Sequence, residues 1–62
     1  MDSAQIDAAM LNKLPVVCEG KRYDCIKEYI SWYDEAGKRR LSVGLLQGRH
    51  LYRKPADKVE LL

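Results

Sequence analysis

Residues 22–45 read RYDCIKEYISWYDEAGKRRLSVGL, and this stretch decides the fold. In its second half, Leu41, Val43 and Leu45 alternate with polar or small residues, which is typical of a half-buried β-strand. The four residues before that half, 34–37, form a compact Asp-Glu-Ala-Gly turn. Strict alternation after so short a loop predicts a β-hairpin with its turn at 34–37 and antiparallel strands on either side.

The first half of the stretch, residues 22–33, fits two structures. As a strand it places Ile26, Ile30 and Trp32 on one face. As a helix it aligns Tyr23, Ile26, Ile30 and Tyr33. Tyrosine, isoleucine and tryptophan favour strands, and the segment contains neither alanine nor leucine. We therefore predict a strand over 22–33. The alternative is an α+β protein in which residues 22–33 are helical.

The N-terminal segment has the pattern of an amphipathic helix. Asp2 is a good N-cap, and Gln5 stands three residues later in the position of a capping box. The apolar residues that follow with helical spacing are Ile6, Ala9, Met10 and Leu14. Pro15 disfavours helical dihedrals in the residue before it, so we predict a helix over about 3–13.

The remaining segments predict short strands joined by tight turns. We expect strands over about 15–19, 50–54 and 59–62, turns at 20–21 and 47–49, and one helical or 3-10 turn at 55–58. With the hairpin, these segments give about five strands. The prediction is one domain, 1–62, that is mainly β. It has a short N-terminal helix and, over about 15–62, a small SH3-like, partly open β-barrel.

Two parts of the chain resemble known proteins. The run KPADKVELL at 54–62 resembles the end of SH3-like barrels, where a 3-10 turn opened by proline leads into the closing strand. Other SH3 signatures are missing, so binding of proline-rich peptides is not implied. Residues 23–30, 33–38 and 43–46 resemble small uncharacterised proteins of bacterial phages and conjugative elements. That resemblance implies an accessory protein of a mobile element and brings no known activity or site.

Size and composition point away from catalysis. A chain of 62 residues has room for one core but hardly for a deep catalytic cleft as well. Cys18, Cys25 and His50 are too few and too irregularly spaced for a metal site, and a Cys–His nucleophile pair would also need an oxyanion hole. The first residues lack the features of a signal peptide, and no apolar run approaches the ~20 residues of a membrane span. We expect a cytoplasmic protein that is not an enzyme, with no cofactor, no metal and reduced thiols.

Positive charge is concentrated in residues 36–54, which carry six basic residues and no acidic one. These are Lys38, Arg39, Arg40, Arg49, Arg53 and Lys54. If their strands pair, the polar faces merge into a positive patch that contains Tyr52, and such a patch binds nucleic acid through phosphate contacts and base stacking. The simpler interpretation is that the basic residues form a solvated face that keeps strand edges from aggregating. A third interpretation is that the patch binds an acidic protein surface.

Three aromatic residues are the candidate protein interface: Tyr29, Trp32 and Tyr33. We expect Trp32 in the core or in an interface, with the two tyrosines on the opposite side of the strand. The predicted function is a non-catalytic binding or adaptor module whose partner is another protein or a second copy of the chain. The alternative is a nucleic-acid-binding accessory protein that uses residues 38–54, and no membrane partner is expected.

Overall fold

A computed structural model describes all 62 residues of the chain. One α-helix, six β-strands and one 3-10 helix follow each other in sequence. Their bounds are α1 Ser3–Leu11, β1 Val16–Cys18, β2 Lys21–Tyr23, β3 Cys25–Tyr33, β4 Arg39–Gln47, β5 His50–Pro55, the 3-10 helix Ala56–Lys58 and β6 Val59–Leu61. The prediction of a mainly β protein with one short N-terminal helix is confirmed.

The strands form two antiparallel sheets of three strands each. In the small sheet, β1 lies between β2 and β6, and in the large sheet, β4 lies between β3 and β5. Only Asp24 separates β2 from β3. Its backbone N–H donates to the Leu46 carbonyl at 2.7 Å, and its carboxylate accepts from the Gly48 N–H at 3.0 Å. Asp24 therefore divides the predicted strand 22–33 between two sheets, and the predicted partly open barrel of about five strands is not confirmed.

The central hairpin is as predicted. Strands β3 and β4 pair from Cys25 opposite Leu46 to Tyr33 opposite Arg39, with a bulge between Ile26 and Glu28. The helical alternative for 22–33 is therefore wrong, because β-branched and aromatic side chains fit the half-buried surface of this sheet.

The hairpin turn is closed by backbone hydrogen bonds. The Asp34 N–H donates to the Lys38 carbonyl at 2.9 Å, and the Gly37 N–H donates to the Asp34 carbonyl at 3.0 Å. Gly37 has a φ of +78°, the left-handed conformation that ends a three-residue loop of this kind. Glycine at position 37 is therefore what lets the chain reverse here.

The helix begins where the sequence predicts and ends two residues early. The Gln5 N–H donates to Asp2 Oδ1 at 2.8 Å and the Asp2 N–H to Gln5 Oε1 at 3.1 Å, so the capping box is present. Asn12 ends the helix, since both its backbone N–H and its side-chain amide donate to the Ala8 carbonyl. The helix therefore stops at Leu11 rather than near residue 13.

The remaining strands lie close to their predicted positions. The first turn falls at Glu19 and Gly20, one residue earlier than predicted, and both residues have a positive φ. This is the conformation of a type I′ turn, which suits the twist of a two-residue hairpin. The 3-10 helix follows Pro55 as predicted, and β6 pairs with β1 through Cys18 opposite Val59. The apolar C-terminal strand is thereby held in the small sheet.

The core lies between the two sheets and α1. Ten buried residues form it: Ile6, Ala9, Val16, Cys18, Tyr23, Ile26, Val43, Leu45, Ala56 and Val59. The large sheet contributes Ile26, Val43 and Leu45, with Tyr29 packed against them. The side chains of all four point to one side of that sheet. Ile26 lies opposite Leu45 and Tyr29 lies opposite Val43, and Val43 and Leu45 are two residues apart on β4. The other side of the large sheet contributes nothing to the core.

Candidate interaction surface

The side of the large sheet that faces away from the core is the candidate interaction surface, and we call it the outer face. Side chains alternate between the two sides of a strand, so the β3–β4 and β4–β5 registers assign its residues. They are Glu28, Ile30 and Trp32 from β3, Arg40, Ser42, Gly44 and Leu46 from β4, and Leu51, Arg53 and Pro55 from β5. None of them belongs to the core cluster.

Trp32 is the central feature of the outer face. Its indole Nε1 donates to the Ser42 hydroxyl at 3.0 Å. Ser42 lies opposite Ile30 in the sheet, so the indole reaches diagonally from β3 across to β4. Trp32 is nevertheless 45% exposed. The hydrogen bond holds a large apolar ring in one orientation on the surface.

Two depressions flank Trp32 on the outer face. One, of about 380 Å³, is lined by Ile30, Trp32, Ser42 and Arg53. The other, of about 360 Å³, lies on the Arg40 side of the ring and extends to Pro55. Trp32 and Ser42 line both depressions, so a partner side chain could pack beside the indole in either of them.

Two ion pairs border this apolar centre. Arg53 Nε lies 3.2 Å from Glu28 Oε1, and Arg40 Nε lies 2.9 Å from Asp34 Oδ2. Gly44 lies opposite both Glu28 on β3 and Arg53 on β5. Because Gly44 has no side chain, the Glu28 side chain lies across β4 to reach Arg53. Each arginine of the outer face is thus paired with a carboxylate of the same chain.

Asp34 is bound from several directions at the hairpin turn. Its Oδ1 accepts from the backbone N–H of Lys38 at 2.9 Å and of Ala36 at 3.0 Å, while Oδ2 accepts from Arg40. The Lys38 hydrogen bond, followed by the Arg40 hydrogen bond, holds the pKa of Asp34 below its ordinary value of 3.8. Asp34 is therefore ionised at neutral pH and fixes both the turn and Arg40.

The structure spreads the six basic residues of 36–54 over the molecule. Arg40 and Arg53 are on the outer face, whereas Arg39 and Lys54 lie on the other side of the large sheet. Arg49 occupies the β4–β5 turn. The β4 strand has nine residues, so this turn is about 30 Å from Arg39. The strands are neighbours as predicted, but their basic side chains do not share one face.

The aromatic residues are also divided between surfaces. Tyr29 packs against the core, and Tyr33 is 71% exposed on the same side of β3, opposite Trp32. Tyr52 lies on the core side of β5, with its ring centroid 5.9 Å from that of Tyr23 in an edge-on arrangement. The ammonium of Lys21 lies 5.3 Å from the Tyr52 centroid. The Tyr52 ring is therefore already in contact with a cation and another ring.

The cysteines and the histidine do not belong to a cluster of metal-ligating side chains. Cys18 and Cys25 are both buried free thiols, and no group of three or more His, Cys, Asp or Glu side chains comes together. Burial, with the nearby charge of Glu19, raises the pKa of the Cys18 thiol. A raised pKa keeps this sulfur protonated and weakly nucleophilic.

The sequence placed Ile26, Ile30 and Trp32 on one face of a strand, and the structure confirms this only for Ile30 and Trp32. The bulge between Ile26 and Glu28 turns the Ile26 side chain to the core side. Ile30, Ser42 and Leu51 complete the outer face, and the alternation of β4 already placed Ser42 and Arg40 on the side opposite Leu41 and Val43. The sequence did not indicate that Glu28 pairs with Arg53, because the two residues are 25 positions apart in the chain. That contact requires the register of all three strands.

Comparisons with known proteins add no family. No protein-family model, no curated protein and no solved structure matches the chain. None of its helices has the length and apolar character needed to cross a lipid bilayer.

Proposed function

We propose that the chain is a non-catalytic protein-interaction module that binds its partner on the outer face of the large sheet. The observation that supports the proposal most strongly is Trp32, a tryptophan with 45% of its surface exposed that is held by Ser42 beside two depressions. Tryptophan and arginine are enriched among the residues that dominate binding energy at protein interfaces. A ring fixed before binding also loses little conformational freedom when a partner covers it.

The charges of the outer face favour a protein partner over a nucleic acid. Arg40 and Arg53 each have a carboxylate within about hydrogen-bonding distance, so the face has little free positive charge for phosphates. An apolar centre bordered by ion pairs is the composition expected of a protein-binding patch with a polar rim. Trp32, Ile30 and Leu51 provide the apolar area, and Leu51 is 49% exposed.

The role of such a module follows from its size. A chain of 62 residues with one exposed sheet face is suited to bridging or blocking another protein. The resemblance of residues 23–30, 33–38 and 43–46 to proteins of phages and conjugative elements supports an accessory role in a mobile element. The nucleic-acid alternative remains a prediction, and the placement of the basic residues gives it no specific support.

Trp32 allows a direct test because it is the only tryptophan. The protein is immobilised, partners are captured from a bacterial lysate and identified, and each purified candidate is titrated against wild type, Trp32→Ala and Tyr33→Ala. We expect Trp32→Ala to weaken binding by about 30-fold, the effect of an interface hot spot. Tyr33→Ala is the matched control, since it removes an exposed ring from the opposite side of the same strand.

The tryptophan emission of the wild type provides an independent readout. Burial of Trp32 beneath a partner should shift its emission to shorter wavelength, because the indole leaves water. The proposal is wrong if every partner binds Trp32→Ala as tightly as wild type, or if the emission does not change on binding. Thermal melting of both variants establishes that they remain folded.

A further inference from the structure

The free edge of β3 is a second surface with a defined chemistry. In an antiparallel pair, the backbone groups of alternate residues point to the partner strand and those of the others point away. The Asp34 N–H donates to the Lys38 carbonyl and therefore points to β4. The backbone groups of every second residue before it, Trp32, Ile30 and Glu28, point the same way. The backbone N–H and C=O groups of Tyr29, Ser31 and Tyr33 consequently point outward. None of the hydrogen bonds outside the sheets involves these backbone groups.

The other strand edges are protected against pairing, whereas α1 packs against part of β3 and leaves residues 31–33 exposed. The opposite edge of the large sheet is β5, which carries Arg53 and Lys54 and ends in Pro55, a residue without an N–H. The edges of the small sheet are only three residues long. Lysine, proline and short length are the usual means of keeping an edge from pairing. The uncharged run 29–33 of β3 has none of them, and its bulge lies outside the run, between Ile26 and Glu28.

We propose that two copies of the chain associate through β3, antiparallel and with Ser31 opposite Ser31 of the second copy, to form one continuous six-stranded sheet. Centring on Ser31 places Tyr29 opposite Tyr33 of the second copy, and the reverse. All three outward residues of each chain then meet outward residues, which permits six backbone hydrogen bonds. A shift by two residues in either direction brings the turn or the bulge into the ladder and loses bonds. Self-association uses the backbone edge of β3 and also brings the outer faces of the two copies side by side.

The side chains and charges agree with this register. On the outer face, Ile30 of each copy lies beside Trp32 of the other, so two apolar centres join across the new sheet. Beyond each end of the ladder, Lys27 at the bulge and Glu35 in the turn of the second copy carry opposite charges. Glu28 lies across from Asp34 of the second copy, but each of these carboxylates is already paired with an arginine of its own chain.

The association stops at two copies. A two-fold axis through Ser31 uses the β3 edge of both chains, and the sheet then ends on both sides at β5, with Pro55. A five-residue strand edge with a few side chains buries less than the ~1,600 Å² of a standard interface, so the dimer is expected to be weak and in rapid exchange. Sedimentation equilibrium from about 10 μM to about 1 mM covers the range in which such a dimer forms.

Proline at position 31 tests the proposal directly. Ser31→Pro removes an outward N–H from an edge strand, a position where proline is compatible with the fold. It should weaken the dimer at least about tenfold, because two central hydrogen bonds are lost. Two controls should associate like wild type. Ser31→Ala loses only the hydrogen bond that Arg39 donates to the Ser31 hydroxyl. Leu51→Pro places a proline ring at a position of β5 whose backbone N–H also points away from the sheet.

A charge pair at position 31 tests the register and does not depend on proline. Ser31 is exposed, so Ser31→Lys should fold, but it would bring the two lysines together beside Arg39 of both copies and abolish association. Mixed with Ser31→Glu that is uniformly labelled with ¹⁵N, it should form a heterodimer that native mass spectrometry distinguishes from both homodimers by mass. A wild type that stays monomeric at about 1 mM overturns the proposal. So does a Ser31→Lys variant that dimerises like wild type, or one that forms no heterodimer with Ser31→Glu.

Discussion

At the scale of single residues, Gly44 is needed for space rather than for conformation. A Cβ atom at this position would lie 2.7 Å from Glu28 Oε1 and 2.8 Å from Glu28 Cδ, both inside normal contact distance. Its φ is not in the left-handed region, so the backbone itself accepts any residue. The glycine thus allows Glu28 to lie across β4 and reach Arg53 at 3.2 Å.

Gly44→Ala should therefore destabilise the protein through Glu28. We expect the free energy of unfolding to fall by about 1–3 kcal/mol, the usual cost of an overpacked site, because the methyl group displaces the Glu28 side chain. In the background of Glu28→Ala, the same substitution should change stability by less than about 0.5 kcal/mol. Urea unfolding of the four proteins in this cycle measures both values. Equal losses in the two backgrounds would show that Glu28 is not the cause.

At the scale of elements, local chemistry made the hairpin predictable and tertiary contacts hid the break at Asp24. The turn at 34–37 is encoded by Asp34 and Gly37 themselves, both of which bond within the turn. Asp24, by contrast, is held by Leu46 and Gly48, more than 20 residues further along the chain. The alternation of residues in 22–33 indicates a strand, but it does not show with which sheet each part of that strand pairs. The two-sheet arrangement therefore could not be derived from residues 22–33 alone.

The same limit applies to the outer face. Period-two alternation in β4 placed Arg40 and Arg39 on opposite sides, and that much was available from the sequence. Which side faces the core depends on the packing of α1 and of the small sheet, and the carboxylates paired with the arginines depend on strand register. Trp32 could be recognised as core or interface, but only the uncovered sheet face decides between them.

Because of Asp34 in the hairpin turn, the stability of the folded protein should decrease at acidic pH. The folded-state pKa of Asp34 lies below 3.8, so its ionised form is favoured by folding. The stability that Asp34 contributes is fully present above its unfolded-state pKa and is lost as pH falls through the folded-state pKa. Asp34→Asn keeps an acceptor for the turn but removes the charge that binds Arg40.

Thermal melting across pH distinguishes this charge effect from a loss of packing. We expect Asp34→Asn to melt below wild type at neutral pH, and the difference to narrow as pH falls below 3.8. Glu35→Gln, which removes a neighbouring turn carboxylate, is the matched control for the loss of one negative charge. A difference between wild type and Asp34→Asn that is the same at every pH would contradict this account.

At the scale of the whole molecule, the distribution of charge matters more than its sum. The formal net charge is +2, and the molecule measures 33 × 23 × 19 Å. Lys38 and Arg39 lie near the β3–β4 turn, and Arg49 lies at the other end of the large sheet. Arg40 and Arg53 have carboxylate partners. A single nucleic-acid strand would meet the remaining cations at separated points rather than along one track.

This distribution of charge predicts that any binding to nucleic acid is weak and that its affinity changes little with salt concentration. With about two phosphate contacts at a time, log affinity should fall with log salt at a slope of about 2 or less, since each phosphate adds about 0.7–0.9. We expect no binding to labelled single- or double-stranded DNA or RNA at about 150 mM salt, where non-specific binders have dissociation constants of about 10⁻⁴–10⁻⁶ M. Arg39→Glu/Arg53→Glu should behave like wild type under these conditions. A slope steeper than about 4, lost in that double variant, would instead show that the basic residues act together and that nucleic acid is the partner.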